Sequence, residues 1–61
     1  MDETLINELC ESAEKLASRA ANLQLACLEK NKENIYWYAN EVRFWADSVL
    51  GDFFEIIKKE G

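Results

Sequence analysis

The sequence predicts an all-α fold: an antiparallel hairpin of two long helices that assembles into an oligomeric helical bundle. Three observations predict it. Apolar residues recur with a heptad period through both halves of the chain. A single polar stretch separates those halves. Proline is absent, and glycine occurs only at Gly51 and Gly61, so little else could break a helix.

The first helix is expected from about Thr4 to Lys30. Ile6, Ala13, Ala20 and Cys27 fall at heptad position a, and Leu9, Leu16 and Leu23 at d. Small residues therefore alternate with leucine, turn after turn, and small a residues let a second helix approach closely. Glu29-Lys30-Asn31-Lys32-Glu33-Asn34 then interrupts the pattern with six polar residues. Asn31 suits two tasks there. It tolerates the left-handed backbone that ends many helices, and its side chain is a good N-cap. A connection this short forces the flanking helices antiparallel.

The second helix is expected from about Lys32 to Lys59. Ile35, Val42, Val49 and Ile56 occupy d, and Ala39, Ala46 and Phe53 occupy a. Gly51 is the one doubtful point. Asp52-Phe53-Phe54-Glu55 could open a separate short helix as a capping box. Val49, Phe53 and Ile56 nevertheless keep one phase across the glycine, which favours a continuous helix at a cost of about 1 kcal/mol. Residues 1–61 then form one domain.

Size explains why assembly is expected. A chain of 61 residues is marginal alone and usually needs disulfides, a metal or oligomerisation. Cys10 and Cys27 both fall on the first helix, roughly 25 Å apart at ~1.5 Å per residue, beyond disulfide reach. The chain has no histidine and no paired-cysteine motif, so no metal or other cofactor is expected. Oligomerisation remains.

Composition narrows the function. A net charge of −5 argues against duplex nucleic acid, which needs a basic footprint. No apolar run is long enough for a membrane span. Met1-Asp2-Glu3 lacks the basic start of a secretory leader. A cytoplasmic protein with reduced thiols is expected.

More apolar surface exists than one seam can use. Leu5, Cys10 and Ala17 widen the first stripe, with Leu25 and Leu28 toward its back. On the second helix, Trp37, Phe44, Leu50, Phe53, Phe54 and Ile57 are candidate subunit-interface residues. Tyr36, Tyr38, Asn40, Arg43 and Trp45 are candidate ligand-binding residues. Flat rings can stack a base, and a guanidinium with an amide among them can hold a phosphate. The plainer readings are interface core for the rings and an i,i+4 pair with Asp47 for Arg43. Arg19 and Lys15 read as solvated, with Glu11 pairing Lys15.

Catalysis has thin support, and no enzyme is expected. There is no histidine base and no glycine-rich phosphate loop. Glu8, Glu11 and Glu14 could line a face for Mg²⁺, and Leu50-Gly51-Asp52-Phe53-Phe54 echoes a motif of all-α nucleotide pyrophosphohydrolases. Glu41, Asp47, Asp52 and Glu55 do not reproduce that family's acidic spacing.

Two resemblances follow from these residues. The layered small-residue and leucine pattern resembles the bundles of two-helix plasmid RNA modulators, as architecture. Asn40-Glu41-Val42-Arg43-Phe44-Trp45-Ala46, after a polar turn containing Lys32-Glu33, resembles the second helix of phage sponge hairpins, over roughly a third of the chain. Those proteins sequester cyclic-nucleotide signals of the CBASS and Thoeris anti-phage systems. The resemblance implies a homo-oligomer in a bacterial or phage-infected cytosol, a nucleotide held between subunits, and Trp45 as an interface or pocket residue. The alternative expectation is a regulator that binds a partner protein through the aromatic helix face.

Overall fold

The computed structural model describes residues 3–60. Met1 and Asp2, on which the leader reading rests, and Gly61 lie outside the described residues. The described residues form two helices, α1 (Glu3–Glu29) and α2 (Lys32–Glu60), packed side by side as a hairpin. No described helix is long and apolar enough to cross a membrane. The Cα envelope measures 44 × 14 × 11 Å, a single layer of two rods.

The turn is built from two interlocked caps. At the end of α1, the Asn31 amide donates to the Ala26 carbonyl at 3.1 Å and the Lys30 amide to the Cys27 carbonyl at 3.2 Å. This is the Schellman pattern, which satisfies carbonyls the helix leaves open. Lys30 carries the left-handed step, at φ 55°, where Asn31 was the expected residue. The reason lies one residue on. The Asn31 carboxamide oxygen accepts from the Asn34 amide at 3.1 Å, capping α2, and an N-cap residue needs an extended backbone. Asn31 cannot do both, so the strained position falls on Lys30.

α2 runs unbroken through Gly51. A Cβ placed there would meet nothing within 4 Å. Glu33 in its first turn and Lys58 and Lys59 in its last complement the helix dipole.

The seam differs from the heptad expectation by one position. The d residues Leu9, Leu16 and Leu23 of α1, and Ile35, Val42, Val49 and Ile56 of α2, do line it, half-buried. Their companions are the g residues, not the a residues. Leu5, Ser12, Arg19 and Ala26 accompany them on α1, and Tyr38, Trp45 and Asp52 on α2, each buried or half-buried. The expected a column of Ile6, Ala13, Ala20, Cys27, Ala39 and Phe53 is exposed, and Ala46 is half-buried. Two gains account for the rotation. The large rings of Tyr38 and Trp45 cover more apolar surface than alanines could. The polar g residues also find partners across the seam.

Even so, Ala26 and Ser12 are the only buried residues among those described. Two helices in one layer bury little, and this hairpin leaves ten of the described large apolar side chains exposed.

Candidate functional site

Three surfaces arise from the rotated seam. The first lies within it. Ser12 is only 6% exposed, and its hydroxyl donates to Asp52 Oδ2 at 2.7 Å. Ser48 Oγ lies 2.9 Å from Ser12 Oγ. The single Ser12 proton is committed to the carboxylate, so Ser48 is the donor in the second bond. One turn-pair nearer the loop, Arg19 Nε donates to Glu41 Oε1 at 3.3 Å, and Arg19 Nη1 to Ser18 Oγ at 3.3 Å. Arg19 is thus a cross-helix partner, not the solvated residue expected. The g register of Ser12, Arg19 and Asp52 was the only sequence signal, and their polarity masked it.

The second surface is one broad side of the hairpin. Symmetry of an antiparallel pair places the same heptad flank of both helices on the same side. The displaced a column and the neighbouring e column therefore share a face. It carries Ile6, Ala13, Ala17, Ala20 and Cys27 from α1, and Tyr36, Ala39, Arg43, Ala46, Leu50, Phe53 and Ile57 from α2. Arg43 is the cation among them. Its guanidinium forms no hydrogen bond or ion pair with the described residues, and the expected pair with Asp47 is not formed.

The third surface follows the f column of α2, where Trp37 and Phe44, seven residues apart, are 62% and 61% exposed. Phe44 meets the half-buried Trp45 edge-on, with centroids 5.1 Å apart and planes at 89°. Phe53 and Phe54 make a looser tilted contact at 6.0 Å.

The five candidate ligand residues do not converge. Tyr38 and Trp45 are half-buried in the seam, whereas Tyr36, Asn40 and Arg43 are exposed. These three share one side of α2 at i, i+4 and i+7. The Asn40 amide donates to the Tyr36 carbonyl at 3.0 Å, so it already has one bond within its own helix. The six candidate interface residues, Trp37, Phe44, Leu50, Phe53, Phe54 and Ile57, are all exposed in the single hairpin.

No cavity forms among the described residues. No three His, Cys, Asp or Glu side chains gather among them, so Glu8, Glu11 and Glu14 do not converge with the acidic residues of α2. Cys10 and Cys27 are free and exposed, with the Cys10 thiol 3.8 Å from Glu14 Oε1. No protein-family model, curated protein or solved structure matches the chain.

Proposed function

We propose that this protein is a non-catalytic binding module that works as a homo-oligomer and holds a small nucleotide-like anion at the junction between copies. The observation that carries this reading is Arg43: a cation without a partner among the described residues, two turns from Tyr36 along one column of α2, on the apolar broad face of an acidic chain. A guanidinium recognises phosphate oxygens, and a phenol ring offers a base a flat face. Neither forms a pocket within one hairpin, so the ligand needs walls from a second copy. A symmetric pair would present two such cations. The likeness of residues 40–46 to the phage sponge hairpins supports the same class of ligand, and a cytoplasmic setting in a bacterium or infected host goes with it.

Native mass spectrometry of gently purified protein tests the reading. The expected result is an oligomer carrying extra mass of nucleotide size, lost in Arg43→Ala while the oligomer persists. An Arg43→Ala protein that still carries the ligand, or a wild-type oligomer that takes up no added nucleotide, would overturn it.

The second reading is a regulator that binds a partner protein. The exposed Trp37–Phe44 ridge on the outer side of α2 favours it. Binding of a hydrophobic dye to the assembled protein, abolished by Phe44→Ser, is its expected sign. Tryptophan emission typical of fully buried rings, with no dye bound, would count against it.

A further inference from the structure

We infer that the broad face formed by the a and e columns is where a second copy of this chain packs, closing two hairpins into a four-helix bundle. The inference rests on reading the chain as an assembling module, but not on any ligand.

Four observations select this face and this occupant. Ala13 and Ala20 on α1 answer Ala39 and Ala46 on α2, so backbones can approach closely along both helices. Charge separates the two broad sides. The opposite side carries Glu8, Lys15, Glu41 and Glu55 along its length, whereas the apolar face carries Arg43 alone between its ends, with Lys32 beside the turn and Glu3 and Glu60 at the open end. In a chain of net charge −5, two copies can meet along the middle of this face without bringing carboxylates together. The footprint is adequate. Cα extents of 44 and 14 Å give roughly 600 Å² before side chains are added, close to the ~800 Å² per partner of a standard stable interface.

The fourth observation concerns permanence. With only Ala26 and Ser12 buried among the described residues, the hairpin depends on its cover whenever it is folded. A second copy is always present, and two antiparallel stripes of like composition are self-complementary, as a two-fold interface requires.

Sedimentation equilibrium of the full chain, paired with the rate of iodoacetamide alkylation at Cys27, tests the inference. Cys27 stands in the a column and is exposed in the single hairpin. The expected result is a dimer or larger even-numbered oligomer, with Cys27 alkylated at least about tenfold more slowly when assembled than on dilution. Ala20→Glu, which puts a charge at an exposed site of the hairpin, should weaken association roughly 100-fold or more. Lys15→Glu, on the opposite side, should leave the mass unchanged. If Ala20→Glu also loses helix content, Cys27 protection in the wild type decides alone. A wild-type oligomer with Cys27 freely reactive would overturn the face while sparing the idea of assembly. A wild-type monomer would overturn both.

Discussion

Ser12 donates a 2.7 Å hydrogen bond to Asp52, a residue 40 positions away on the other helix. With Ser48 donating to Ser12 at 2.9 Å, the three residues form a directional chain across the seam. Ser12→Ala should leave the half-buried Asp52 carboxylate without this donor. A loss of about 1–3 kcal/mol is expected, read by urea unfolding at fixed protein concentration. Unchanged stability would mean that water replaces the hydroxyl without cost.

Lys30 holds the left-handed step of the turn, where a side chain costs about 1 kcal/mol. Lys30→Gly should recover much of that and raise the unfolding midpoint. Asn31→Ala should act oppositely, because it removes the acceptor for the Asn34 amide, at a cost of about 1 kcal/mol. Thermal melts of the two variants should therefore bracket the parent.

Gly51 offers a second stabilising change. Its surroundings hold nothing within 4 Å of an added Cβ. Gly51→Ala should stabilise α2 by up to about 1 kcal/mol, measured by chemical denaturation. A loss instead would place another surface against that position in the assembled protein.

The Arg19–Glu41 pair spans the helices with side chains 28% exposed on each partner. A pair so open to water contributes little, and Glu41→Gln should cost under about 1 kcal/mol. The difference should shrink in high salt. A salt-independent loss would mean that Glu41 acts through packing or hydrogen bonding alone.

Much of the architecture was legible in the sequence. The d columns, the polar turn and the lack of helix breakers point to two packed helices, and the seam contains every d residue expected. The a columns misled because alanine suits two roles equally: filling a close seam or paving an outer face. Ser12, Arg19 and Asp52 misled in the other direction. Each looks like a surface residue until its partner on the facing helix is known, and a periodicity argument has no access to that partner. The candidate ligand set split for a related reason. Tyr38 and Trp45 read as surplus to an a/d seam, whereas a d/g seam consumes them and leaves Tyr36, Asn40 and Arg43 outside.

The turn has one more consequence. Continued straight through Lys30 and Asn31, the inward column of α1 (Leu9, Leu16, Leu23) and that of α2 (Ile35, Val42, Val49) would fall about 150° apart at the 3.5 residues per turn of a heptad seam. A straightened chain would turn its two sticky stripes to nearly opposite sides, and no single neighbour could cover both. Opening the hairpin to exchange helices with another copy therefore forfeits one stripe. The phase break at the turn disfavours domain swapping and open-ended fibres, and keeps each chain folded back upon itself.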